Sequence, residues 1–65
     1  MNKVEVVTIL KEIKGAYGNK FEINDHTPYV WHEYLGNHRF ADVGKRLNDH
    51  ISTKRYPPTI GHLLP

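Results

Sequence analysis

Between Lys3 and Tyr17 the apolar residues Val6, Ile9, Leu10, Ile13 and Tyr17 return at steps of three and four. That spacing lines one face of an amphipathic helix, with Asn2 placed to cap its first turn. Val4, Val6, Val7 and Thr8 are β-branched or hydroxyl-bearing and by themselves also permit a strand, but Leu10 to Ile13 restore the helical step. Gly15 and Gly18 surround Tyr17 and predict the end of the helix there. In the stretch KFEIND that follows, Phe21 and Ile23 alternate with polar neighbours, which predicts an extended connector aiming two apolar side chains at the core.

Thr27 followed by Pro28 predicts a second helix start, with the threonine hydroxyl capping and proline in the first helical position. Val30, Trp31, Tyr34 and Leu35 then share a face over about two turns, and Gly36 supplies a stop. Asn37 is placed to cap a third helix in which Phe40, Val43, Leu47 and Ile51 recur at three, four and four, with Arg39, Asp42, Lys45, Arg46 and Asp49 on the wet side. Asp42 and Arg46 stand one turn apart in the favourable order for an ion pair. Gly44, costly inside a helix, predicts a close approach to another helix. Pro57 and Pro58 disfavour helical geometry before them, so the third helix must finish near Lys54 and leave in an extended path. Thr59 then restarts a short turn in which Ile60, Leu63 and Leu64 can fold back over the core.

The pattern therefore predicts an all-α domain, a small bundle of three helices plus a short C-terminal helical turn, spanning residues 1–65. Its expected core is Val6, Ile9, Leu10, Ile13, Phe21, Ile23, Trp31, Leu35, Phe40, Val43, Leu47 and Ile51. A chain of 65 residues without cysteine has no disulfide or thiolate metal cluster to hold it and must rest on packing, with no room for a cofactor cavity. We therefore expect no cofactor. Apolar runs such as Val6-Val7 and Leu63-Leu64 fall far short of the about 20 residues that a membrane span needs.

Nine Lys and Arg against seven Asp and Glu leave a formal net charge of +2, mild beside the excess of a dedicated nucleic-acid binder. Lys45, Arg46, Lys54 and Arg55 are the candidate phosphate contacts, with Arg39, His38 and His50 nearby and Tyr56 available to stack on a base. Asp42 and Asp49 interrupt that series, and the reading of the same residues as a solvated helix flank is the favoured one. Five histidines invite a metal site, but the helix-breaking Gly36 and Asn37 separate His32 from His38, which lie six residues apart rather than the four that a zinc helix needs. The single serine, Ser52, lies in no nucleophile elbow, and there is no glycine-rich phosphate loop. Nothing here points to an enzyme. Trp31 reads as a core anchor or as a binding hot spot, and in so small a domain the anchor is the simpler role.

A Trp in a short helix, a Leu four residues later, an amphipathic helix and then a Tyr-Pro-Pro-Thr-Ile step fall here on Trp31, Leu35, Phe40 to Ile51, and Tyr56 to Ile60. With VVTILKEIKGAYGNKFEI before it, this series resembles the small helical helicase loader/inhibitor proteins of tailed phages that infect Gram-positive bacteria. The resemblance covers nearly the whole chain and implies a non-enzymatic partner of a hexameric replicative helicase. It implies that the helicase is held inactive and delivered to a replisome organiser protein at the phage origin, in the cytoplasm of the infected host. The dispersed cations interrupted by acids predict little or no direct DNA binding, and the short apolar runs predict no membrane span. Family members are generally longer, with a polar C-terminal region, so the resemblance also implies that residues 1–65 are the N-terminal domain of a longer protein. Exposed side chains expected to meet a partner are Tyr29, Glu33, Tyr34 and Arg39. A small DNA-binding module, or an inhibitor of another host replication protein, are the alternatives.

Overall fold

Four helices follow one another in the computed structural model, which describes residues 1–65: α1 (Lys3–Tyr17), α2 (Thr27–Leu35), α3 (Phe40–Thr53) and α4 (Ile60–Leu63). The all-α expectation holds, with α1 packed against α2 and α3, and α4 lying against α2 and α3. α1 begins with a full capping box, in which the Asn2 side chain accepts from the Glu5 N–H and the Glu5 carboxylate accepts from the Asn2 N–H. It ends at Gly18, whose φ of 60° is the one positive value in the chain. A single 3-10 turn, Gly18–Lys20, then leads into extended backbone at Phe21.

Nine apolar side chains form the core: Val6, Ile9, Leu10 and Ile13 from α1, Trp31 and Leu35 from α2, Val43 and Leu47 from α3, and Leu63 from α4. Phe21 and Ile51 are half-buried against this cluster, and Phe21 meets the Trp31 ring edge-on with centroids 5.8 Å apart. Trp31 is thus the core anchor. Two residues expected in the core are outside it, Ile23 at 39% exposure and Phe40 at 37%. Ile23 lies on the loop side of the turn that Asn24 organises, and Phe40 occupies the first position of α3, at the margin of the stripe that Val43 and Leu47 centre. Val30 and Tyr34 do not share the buried face of Trp31 and Leu35 either. On so short a helix only the line of those two residues meets α1, which leaves both neighbours in solvent.

The helix starts are built differently from the expectation at two places. Thr27 is the first residue of α2, not its cap; Asn24 Oδ1 accepts from the N–H groups of His26 and Thr27, and the Thr27 hydroxyl accepts from the Asn24 N–H. The turn is thus organised from three residues upstream, an Asx arrangement that competes well with a threonine cap. At α3 the capping position belongs to Arg39, which makes no side-chain cap, and Asn37 precedes it in the turn. Of the two glycines of the middle segment, Gly36 keeps its expected role and Gly44 does not. Gly44 has nothing within 4 Å of where a Cβ would sit, so no helix approaches it. Gly36 does end α2, in a right-handed conformation (φ −61°), and a Cβ there would lie 2.6 Å from the His32 carbonyl oxygen.

The turn between α2 and α3 is pinned from the far end of the chain. The Met1 ammonium donates to the carbonyl oxygens of Gly36 at 2.7 Å and His38 at 2.8 Å. Charge-assisted bonds of this length are the stronger kind, and these join residues more than thirty positions apart. Beyond α3 the chain turns extended at Lys54, as the two prolines require, and Pro58 is buried. Two side chains fix that path. The Tyr17 hydroxyl donates to the Lys54 carbonyl at 3.1 Å, and His50 Nε2 donates to the Tyr56 carbonyl at 2.9 Å. With the elbow held, Thr59 opens α4 and Leu63 enters the core with no exposed surface.

Candidate functional site

No enclosed cavity exists in the fold, so any function has to be read from its surface. The apolar groups left in solvent concentrate on α2, where Tyr29, Val30 and Tyr34 are 61%, 44% and 56% exposed. Their exposure follows from the burial of Trp31 and Leu35: at 100° per residue, positions 29, 30 and 33 cover the opposite side of the helix, and position 34 lies on the flank, about 60° from Trp31. Glu33 is the acid among them, and the Lys3 ammonium from α1 sits 3.8 Å above the centre of the Tyr29 ring. That cation–π contact holds the tyrosine ring in place while leaving its hydroxyl end free. Arg39 is also exposed, just past the α2–α3 turn that the Met1 ammonium clamps. Tyr29 and Glu33 thus lie on one side of α2, Tyr34 is exposed on its flank, and Arg39 stands at the head of the next helix.

The candidate phosphate contacts divide. Lys45 and Arg46 border a shallow depression together with Asp42, Asp49 and Pro65, so the two cations share that surface with two acids of the same helix. Lys54 lies just past the end of α3, with Arg46, Asp49 and His62 around a second open depression, and Arg55 is exposed beyond it. Neither depression has an apolar wall. His50 does not join the cationic series at all; it is 8% exposed and spends its Nε2–H on the Tyr56 carbonyl. Tyr56 is half-exposed, with its ring edge-on to His50 at 5.3 Å and tilted against His62 at 5.9 Å, so it is tied into the fold and not free to swing onto a base. No group of three or more His, Cys, Asp or Glu side chains comes together. No helix is long and apolar enough to cross a membrane.

The family model for the N-terminal domain of the phage gene-39 protein matches residues 1–64. The chain belongs to the gene-39 protein family. Among solved structures it is similar to the truncated variant of the gene-39 helicase loader/inhibitor protein of the Bacillus subtilis phage SPP1. The two are 30% identical and superpose with a TM-score of 0.91 over 100% of both chains. At that identity and overlap the shared helical fold extends from end to end, α4 included. A search of curated proteins finds no match. The resemblance drawn from Trp31, Leu35 and the Tyr56 to Ile60 step thus led to the right family.

The sequence did not indicate the group Tyr17, His50, Tyr56 and His62. His50 and His62 have ring centroids 4.9 Å apart, and Tyr17 approaches His50 edge-on at 6.4 Å. The one available signal was the position of His50 in the helical series, three residues after Leu47 and seven after Val43, which is a core-facing step.

Proposed function

We propose that this domain is a non-enzymatic phage DNA-replication protein that binds a hexameric replicative helicase, inhibits it, and helps load it at the phage origin through a replisome organiser. The observation that carries this reading is the end-to-end similarity to a structure described as a helicase loader/inhibitor, with membership of the same family. The protein acts in the cytoplasm of the infected host, where that machinery works. Residues 1–65 serve as the N-terminal domain of a longer protein. Tyr29, Glu33, Tyr34 and Arg39 form the protein-binding face. Exposed tyrosines, one of them held by the Lys3 ammonium, together with an arginine are residue types that interface centres favour. Direct DNA binding is weak or absent, because Asp42 and Asp49 offset Lys45 and Arg46 in the same depression.

The experiment compares residues 1–65 with a version that carries the natural downstream residues, measuring affinity for the host's hexameric replicative helicase and inhibition of its ATPase. The 65-residue domain should fold cooperatively and bind poorly alone, while the longer chain binds and inhibits, its tail ordering on the helicase. Equal binding by both versions would place the helicase surface inside this domain, and Tyr34→Ala together with Tyr29→Ala should then abolish it. No binding by either version would overturn the proposal.

A further inference from the structure

The last turn of the chain is held by a bond that requires one imidazole to be neutral. The Thr59 N–H donates to His62 Nδ1 at 2.9 Å, so that nitrogen presents a lone pair and the ring proton resides on Nε2. The Thr59 hydroxyl lies 3.1 Å from the same nitrogen. This is the return half of a capping box, with histidine in the position where Glu or Gln is common. Glutamine never changes charge, whereas imidazoles take up a proton between about pH 8 and about pH 5.

The surroundings of His62 decide what that proton does. The ring is exposed, so a proton reaches it directly. From α3 and its exit, Arg46, Asp49, His50 and Lys54 border the same depression, and the Tyr56 ring stands against His62 from the elbow, with centroids 5.9 Å apart. Two permanent cations thus face one carboxylate before His62 is charged at all. His50 is insulated from the event, since its Nε2 donates to a carbonyl that can only accept, and that bond is made by the neutral and the charged ring alike.

We propose that α4 is a pH-sensitive latch, tightened by neutral His62 and loosened when Nδ1 is protonated. The protonated nitrogen carries a hydrogen where the Thr59 amide already points one. The Thr59 hydroxyl can rotate to accept from the new N–H, but the amide loses its acceptor, and the added charge joins Arg46, Lys54 and the His50 ring with only Asp49 to offset it. Latching is therefore firm while Nδ1 of His62 offers its lone pair and weakens once that nitrogen carries a proton. What the loosening opens is the core position that Leu63 of α4 otherwise fills with no exposed surface. The latch therefore governs access to an apolar site on the core, independently of the α2 face.

Amide hydrogen exchange at Leu64, whose N–H donates to the Ile60 carbonyl across α4, reads the latch when corrected for the intrinsic rate at each pH. In the native chain its protection should fall about fivefold between about pH 8 and about pH 5.5, while protection in the middle of α3 holds. In His62→Gln, which keeps an acceptor at that position and cannot be charged, protection at Leu64 should not vary with pH. Imidazole nitrogen shifts should show the Nε2–H tautomer for His62 at the alkaline end. Constant protection in the native chain, the same pH dependence in His62→Gln, or an Nδ1–H tautomer would each overturn the proposal.

Discussion

Single residues in this domain carry constraints that their neighbours in sequence do not announce, and the two middle glycines show it best. Gly36 and Gly44 are both in right-handed backbone, yet a Cβ at 36 would collide with a carbonyl oxygen at 2.6 Å while one at 44 meets open space. Gly36→Ala should therefore destabilise the domain by about 1–3 kcal/mol, because the clash is with backbone that cannot rotate away. Gly44→Ala should instead stabilise it by up to about 1 kcal/mol, by lowering the entropy lost when α3 forms. Urea unfolding of the two variants checks both signs at once. His50 makes the same point for polar groups: it is buried because its one ring donor and the Tyr56 carbonyl satisfy each other, where an unpaired imidazole would stay in solvent.

At the scale of elements, the shortest helix is the one most dependent on its context. An isolated turn of four residues such as α4 has no stability of its own, since nucleating it fixes several residues for one or two hydrogen bonds. It exists because the elbow before it is fixed by Tyr17 and His50 and because Leu63 is buried completely. Leu63→Ala should accordingly cost about 2–5 kcal/mol, as much as Leu47→Ala in the middle of α3, even though α4 is less than a third as long. Thermal unfolding of the two variants tests this; a cost below about 0.5 kcal/mol for Leu63→Ala would mean that α4 is an ornament on a three-helix core. α1 needs no such support, because its capping box and its stripe of four buried residues are both local to it.

For the molecule as a whole, the distribution of charge matters more than its total. A net charge of +2 permits DNA contact, but the fold sets Lys45 and Arg46 beside Asp42 and Asp49 and removes His50 to the interior. A groove tracking phosphates needs several cations in a row without acids between them. Binding to random-sequence duplex DNA should be undetectable at physiological salt. A fluorescence anisotropy titration checks this, and a tight complex that weakens on neutralising Lys45 and Arg46 would promote the DNA-binding alternative. The radius of gyration, 10.7 Å, is about that expected for a single compact domain of this length, so with α4 docked the surface available to a partner is the outside of one compact body.

The helices α1 and α3, their buried stripes, the exit before Pro57 and the restart at Thr59 were legible from order alone. Each depends on interactions within a few residues: a three-to-four step, a local cap, or the fixed torsion of proline. The family was legible as well, from the Trp31 to Ile60 series. What order could not supply was anything decided by a neighbour distant in the chain. Ile23, Val30, Tyr34 and Phe40 have the right hydrophobicity for a core and the right period or nearly so, but a core of nine side chains has room only along the lines where helices touch. The caps at Thr27 and Asn37 were plausible by type and lost to the Asn24 turn and to the clamp of Met1 on Gly36 and His38. Sequence by itself determined which segments are helical and which face of the two long helices is apolar, because those are properties of consecutive residues. Tertiary structure alone decided which apolar residues stay in solvent on α2, why position 36 must be glycine, and that a histidine closes the final turn, because each depends on atoms brought together only when the chain has folded.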